Sequence, residues 1–332
     1  MATPAQGANT LIKICRETSA WGSTPAAPEW ITVAVEPGGG FVPEINQIES
    51  TLLGGDPNPR AAVLGNRKGS GDLTFNPSLE ALAFLMGGAV GPIVSTGVGD
   101  PYSHVSKLIA GDLYSYTVVE VLDIGAAYSI VARGAVVNSC TLDTASEGPL
   151  KVKLNFVAKA VTQEDATTIL AAGTTVDLSA GVPVDHGWLT AGTMSIGGAV
   201  TYVKSGSIEV NQNLKVDDFR VAGNGVLMSI PRGRAAVTAT LECLWDSNTA
   251  TKMAAILAAP ATPTAATITW TLSTHSFSIS LPECYAKPNL PKIPDGALTA
   301  QLVLKAAKNI SAGTSIATTT VNSTVGTVYG IV

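Results

Sequence analysis

Two stretches of the chain carry the same order of polar and apolar positions. In the first, "NRKGSGDLTFNPSLEALAFLMGG", residues 66–88, Ser70, Asp72 and Thr74 alternate with Gly71, Leu73 and Phe75. A period of two with one polar face predicts a half-buried strand. Asn76 and Pro77 suit a helix N-cap and first helical position. Leu79, Leu82, Ala83 and Met86 then share a helical face, and Gly87 and Gly88 supply a stop. The second stretch, "RGRAAVTATLECLWDSNTATKMAAILAAP", residues 232–260, repeats the order. Thr238 and Thr240 take the places of Asp72 and Thr74, opposite Val237, Ala239 and Leu241, and Asp246, Ser247 or Asn248 can cap the helix.

The repetition extends beyond these units. "EINQIES" corresponds to "SGSIEVNQNL", and "SEGPLKVKLNFVAKA" aligns without a gap to "PDGALTAQLVLKAAK", with Leu150 against Leu298 and Leu154 against Leu302. This predicts a tandem duplication of roughly 120–150 residues. The expected organisation is an extended N-terminal arm with one or two short strands (1–42), copy 1 (43–160), a joining segment (161–200), copy 2 (201–308) and a C-terminal arm or extra strand (309–332). The stretches 51–66 and 215–230 read as long loops, of the kind that is functional or ordered by a partner.

Composition agrees with a mainly β chain. Among 332 residues, Gly is frequent and charged residues make up only 14%. Such a bland surface is often covered by neighbouring subunits. The net charge of −5, with no basic block, argues against tight nucleic-acid binding. The N-terminus shows no export signal, and the longest apolar run, 81–94, is too short and too interrupted to span a bilayer. Synthesis and folding in a cytoplasm are therefore expected. The four cysteines form no C-x-x-C pair and are expected to be free thiols used as small apolar residues.

The chain offers little chemistry. His104, His186 and His275 stand apart from cysteines and paired acids, and no zinc, EF-hand, phosphate-loop or nucleophile-elbow pattern occurs. "GNRKGSGD" is glycine-rich, but it leads into a strand and lacks the helix N-terminus that a phosphate cradle needs. The expectation is no enzyme activity, no cofactor and no metal. What remains is a set of strands with a polar face. Glu44, Asn46, Ser70, Asp72, Thr74, Thr141, Asp143, Lys151 and Lys153 form it in copy 1, and Glu209, Asn211, Thr238, Thr240, Asn289, Thr299 and Gln301 in copy 2.

"RETSAWGSTPAAPEW", "INQIESTLLGG" and "NRKGSGDLTFNPSLEALAFLMGGAVG" together resemble the opening of tail tube (major tail) proteins of long-tailed bacteriophages. The resemblance covers copy 1, and copy 2 through the duplication. Copy 2 departs from it at Ala235, Ala236 and Val237, where copy 1 has Gly69, Ser70 and Gly71. It implies two tandem β-sandwich domains, each with a short helix, whose inner strands join into a barrel. Three chains would make a pseudo-six-fold ring of roughly 24 strands, more than the roughly 16–18 that already leave an aqueous channel. Rings would stack into a tube in the virion tail, assembled in the bacterial cytoplasm. Glu44, Asn46, Asp72, Thr74, Thr141, Asp143, Glu209, Asn211, Thr238, Thr240, Thr299 and Gln301 would face the lumen. Genomic double-stranded DNA would pass without specific binding. Lys151 and Lys153 run against a smooth lumen unless they pair with Asp143 or lie off the bore.

Leu53, Asp56, Pro57, Arg60, Asp217, Asp218, Arg220 and Asn224 would lie in loops contacting neighbouring subunits. Partners implied are further copies of the chain, a tape measure protein and a tail terminator, with no membrane. The alternatives are a related tube or tail-terminator component, a secreted tandem β-sandwich binding module, or an enzyme with an unrecognised site. Deleting residues 54–60 should leave a folded protein that fails to polymerise, read by circular dichroism and electron microscopy. Normal tubes from the deletion would contradict the loop assignment.

Overall fold

The computed structural model describes residues 10–48, 63–97, 101–111, 113–122, 126–145, 148–179, 184, 189–196, 199–219, 225–260, 262–272, 275–291 and 298–322. Strands β1 (Leu11–Arg16), β2 (Glu29–Val33), β3 (Gly40–Ile48) and β4 (Val63–Phe75) lead into helix α1 (Leu79–Ala89). A hairpin of β5 (Ile93–Thr96) and β6 (Tyr102–Lys107) follows, then β7 (Ser115–Val121), the long β8 (Ser129–Thr144), β9 (Lys151–Ala158) and β10 (Ala160–Glu164). Next come α2 (Thr167–Ala171), β11 (Thr174–Asp177), β12 (Leu189–Ile196), β13 (Ala199–Asn211), and the short pair β14 (Asp218–Phe219) and β15 (Leu227–Ser229). The chain continues through β16 (Ala236–Leu244), α3 (Ser247–Ala258), β17 (Thr264–Leu272), β18 (His275–Asn289), β19 (Thr299–Ala306) and β20 (Ala317–Asn322). The protein is mainly β, as its alternating pattern predicts.

Eighteen of these strands form one hydrogen-bonded network. Its spine is antiparallel throughout: β3–β4–β9–β8, then β13–β16–β19–β18. Strand β8 serves two layers. Its first part pairs with β7 and β10, and its last part with β9 and β13. Asn138 is the extra residue at the register shift between them. Its carbonyl accepts from the Gln212 amide at 2.7 Å, and its Oδ1 accepts from the Leu214 amide at 3.1 Å. A bulge bends a strand and increases its twist, which lets β8 leave one layer for the other. Strand β18 makes the same transfer, pairing first with β17 and β20 and then with β19.

The core lies between the layers. Leu73, Phe75, Val152, Leu154 and Phe156 from the first half join Ile208, Leu241, Leu302 and Leu304 from the second in one buried cluster. Residues 10–42 of the stretch expected as an N-terminal arm contribute strands and apolar side chains to it. Ile12, Ile14 and Ile31 are buried, with β1 paired to β2 and β7. Residues 161–200 include β11, which pairs with β2, and β12, which pairs with β13 and β17. β20, in the C-terminal stretch, pairs with both β18 and β6 and so ties the two halves together a second time.

Four local readings change. The N-cap of α1 is Ser78, whose side chain accepts from the Ala81 amide at 3.3 Å, while Asn76 instead donates to Glu36 at 3.1 Å. Gly87 and Gly88 do not stop α1, which runs on to Ala89. A Cβ on Gly88 would lie 2.6 Å from the Tyr116 hydroxyl, so this glycine permits close packing. Strand β4 begins at Val63, so residues 63–66 are strand and not loop. α1 is also buried on nearly every side, with only Glu80 less covered, whereas one apolar face was expected. A helix apolar all round is an interior helix, and α1 packs against β8, β6 and β20. α3 is capped by Asp246, which accepts from the Thr249 amide at 2.7 Å, and buries only Thr249, Met253 and Ile256.

Cys15, Cys140, Cys243 and Cys284 are free and buried. Burial pushes the thiols of Cys15 and Cys243 up to about 12 and that of Cys284 to about 11, and raises Cys140 as well. The thiolate is the reactive form, so native protein should be nearly inert to a thiol reagent at pH 8. All four thiols should titrate once the chain is unfolded in guanidinium. Rapid native labelling of any one would contradict this packing.

Candidate functional site

The feature that stands out is an extended face. Along the spine the core residues point one way and the polar residues the other, because successive side chains of a strand alternate. On β8, Leu142 and Cys140 are buried while Thr141, Asp143 and Ser139 lie on the opposite side. On β13, Ile208 and Val210 are buried beside the exposed Glu209 and half-buried Asn211. On β16, Val237, Ala239 and Leu241 are buried, and Thr238, Thr240 and Glu242 face away.

Registers bring the predicted residues together. Glu209 stands opposite Thr141 on one side and Thr238 on the other. Asn211 stands opposite Ser139 and Ala236. Asp72 stands opposite Asn155, whose amide donates to it at 2.7 Å, and Thr74 opposite Lys153. Gln301 stands opposite Glu242 on β16 and Asn289 on β18, and Asn289 donates to it at 2.8 Å. Thr299 pairs with Leu244 at the end of β16. Asp143, Lys151, Ser207, Thr240, Glu242 and Gln301 border one concavity of about 670 Å³ that spans both halves. Glu44 and Asn46 lie further out, on the exposed part of β3.

The charges on this face are interleaved. Lys68 pairs with Glu44 at 3.3 Å and Lys204 with Glu242 at 3.6 Å. Lys151 stands opposite Asp143 in the ladder, yet its ammonium reaches Glu36 at 2.6 Å. Glu36 lies just after β2 in sequence and had not been read as part of the face. Lys287 and Lys305, also missed, are exposed on β18 and β19. Each is flanked by apolar residues, Ala286 and Pro288 or Leu304 and Ala306, which was the signal available in the sequence.

Of the residues expected in loops, Asp217 and Asp218 are described. Asp218 accepts a hydrogen bond from Ser229 across the β14–β15 pair, and Asp217 is exposed. Leu53, Asp56, Pro57, Arg60, Arg220 and Asn224 lie outside the described residues. Among the described residues no group of His, Cys, Asp and Glu is placed to hold a metal ion, and no helix is long and apolar enough to cross a membrane.

Residues 7–323 match the family model described as phage tail tube protein. Comparison with curated proteins gives no match.

Hydrogen bonds hold three carboxyls of or beside the face below the ordinary glutamate value of 4.5: Lys151 and then Asn76 at Glu36, Ser70 at Glu44, and Thr299 and then Ser205 at Glu242. A lowered folded pKa gives stability that is present above the ordinary value and lost as pH falls through the folded one. Urea unfolding should therefore show stability declining below pH 4.5. Glu242→Gln should flatten that decline. An acid limb identical to the parent's would contradict the assignment.

Proposed function

The chain belongs to the phage tail tube protein family, and we propose that it builds the tube as pseudo-six-fold rings of three chains. The family is structural and non-enzymatic, its members assembling into the tube of the virion tail. In our reading each chain supplies two tube domains, with four wall strands apiece: β3, β4, β9 and β8, then β13, β16, β19 and β18. Pairing partners support the equivalence. Leu154 pairs with Leu73 and Cys140, and Leu302 with Leu241 and Pro288. By this measure Thr240 takes the place of Asp72, and Thr238 that of Ser70. That is two residues from the sequence alignment and on the same face.

The observation that carries the proposal is the β8–β13 ladder, which makes one wall of both halves with its polar side continuous across the junction. Three such walls give roughly 24 strands, enough for an aqueous bore. The polar side lines the lumen, with Glu44, Asn46, Asp72, Thr74, Thr141, Asp143, Glu209, Asn211, Thr238, Thr240, Thr299 and Gln301 in it. Its interleaved charges suit DNA in transit. A wall that neutralised many phosphates would hold the duplex, because each contact releases counterions and adds affinity. The loops around Leu53, Asp56, Pro57, Arg60, Asp217, Asp218, Arg220 and Asn224 reach neighbouring chains or the next ring. A tape measure protein within the bore and a terminator at the end of the tube complete the assembly, in the bacterial cytoplasm.

Negative-stain imaging of concentrated protein tests this directly. Stacked rings or three-fold rings with a central hole are expected, with sedimentation giving multiples of three chains. Isolated rings that never stack would favour a terminator. Six-chain rings, or a compact monomer at every concentration with or without an added tail initiator, would contradict the proposal.

A further inference from the structure

The wall is joined inside the chain at β8–β13 and ends at β3 on one side and at the last part of β18 on the other. Among the described residues, no strand pairs with the outer side of β3 or of 285–289 on β18. The direction of their backbone groups can be followed. The Phe41 amide does not reach β4 but donates to Glu120 Oε1 at 2.7 Å, so Phe41, Pro43 and Ile45 turn their backbone groups outward. On β18 the Glu283 carbonyl accepts from Ala307 at 2.9 Å, so Glu283, Tyr285 and Lys287 face β19, and Ala286 and Pro288 face outward. Each edge thus carries a proline where the missing N–H would point away from the sheet, the position a strand tolerates. Apolar side chains are bare at both edges: Val42, Ile45 and Ile48 on β3, Tyr285 on β18, and Leu290 just beyond it.

Taking the tube reading as its basis, we propose that β18 of one chain pairs antiparallel with β3 of a second copy. The register is that of β8–β13, and it sets Lys287 opposite Glu44 and Asn289 opposite Val42. The transfer uses equivalent partners on both sides. Inside the chain Thr141 faces Glu209, Cys140 faces Val210 and Ser139 faces Asn211. Their counterparts are Asn289 and Val42, Pro288 and Pro43, and Lys287 and Glu44. The last pair has opposite charges, directly across from each other on the polar face. It falls at a non-hydrogen-bonded position, where side chains approach closest. Glu44 already has Lys68 at 3.3 Å and is then held between two lysines.

The two prolines meet in this register and remove two ladder hydrogen bonds. The seam between chains is therefore weaker than the seam within one, and a lone edge is discouraged from pairing indiscriminately. The helices support the same assignment. α1 is buried against the second half, with β20 packed on it and Gln212 donating to the Ala89 carbonyl at 2.6 Å. α3, at the matching place beside the open end, leaves Ala254, Ala255, Leu257 and Ala258 exposed. The first half of the second copy covers that face.

Two tests bear on the register. Lys287→Glu and Glu44→Lys should each raise the critical concentration for assembly by about tenfold or more, since like charges then oppose each other. The double variant should restore it, with urea midpoints of the isolated chains confirming that each still folds. Independently, Val42→Cys combined with Asn289→Cys should give covalent trimers on oxidation of assembled protein, and neither single variant should cross-link. If wild-type tubes form but the reversals are silent and the cysteine pair stays unlinked, the register is wrong while the tube reading stands. Cross-linking by Val42→Cys alone would mean that β3 pairs with itself, which also overturns the register. Failure of the wild type to assemble at all would overturn the reading on which it rests.

Discussion

The structure depends on a strand ladder that joins residues far apart in sequence. Between Ser139–Thr144 of β8 and Gly206–Asn211 of β13, six residue pairs run in register without interruption. Everything on either side is oriented by that alignment. A slip of one residue would turn Glu209 and Asn211 into the core and Ile208 and Val210 onto the surface. The register is protected by burial of Ile208 and Val210 and by the bulge at Asn138, whose backbone and side chain take the Gln212 and Leu214 amides. The β6–β20 pairing braces the same junction from the other layer.

From this constraint follows the division of labour within each strand. One side of the wall is packed by Leu, Val, Ala and Phe. The other carries Thr, Ser, Asn and interleaved charges. A surface poor in charge costs little when neighbouring subunits cover it, and strand edges are tolerable when they are short, carry proline, or are paired in the final assembly. The helices show the same economy. α1, enclosed by the second half, is apolar all round, and α3 keeps one buried stripe and a bare alanine-rich side.

Much of this was legible in the sequence. The alternation of Ser70, Asp72 and Thr74 with Gly71, Leu73 and Phe75 marks β4, and the same period marks β9 and β16. Local chemistry narrowed the α3 cap to Asp246, Ser247 or Asn248, of which the structure uses Asp246, but misjudged the cap at Ser78, because Asn76 and Ser78 are both competent caps and only packing decides that Asn76 turns to Glu36. Gly88 read as a helix stop because its partner, the Tyr116 hydroxyl, lies nearly thirty residues away and leaves no local trace. The pairing of Lys151 with Glu36 rather than Asp143 is hidden for the same reason. Period-two patterns name the face a residue takes, not the strand beside it. The polar residues could therefore be named one by one, whereas the β8–β13 junction that gathers them could not. The two-residue offset between Thr240 and Asp72 belongs to the same class, since a shift of two keeps every side chain on its face.

The central claim is that one polar wall, continuous through both halves of each chain, lines the inside of the assembled tube. A helical cryo-electron microscopy reconstruction of that tube, at a resolution that separates strands, measures it most directly. Three chains per ring are expected, with Glu209, Thr141 and Thr240 facing the bore and strands unbroken around it. A tube whose bore is lined by the opposite layer, or whose wall is interrupted between β8 and β13, would contradict it.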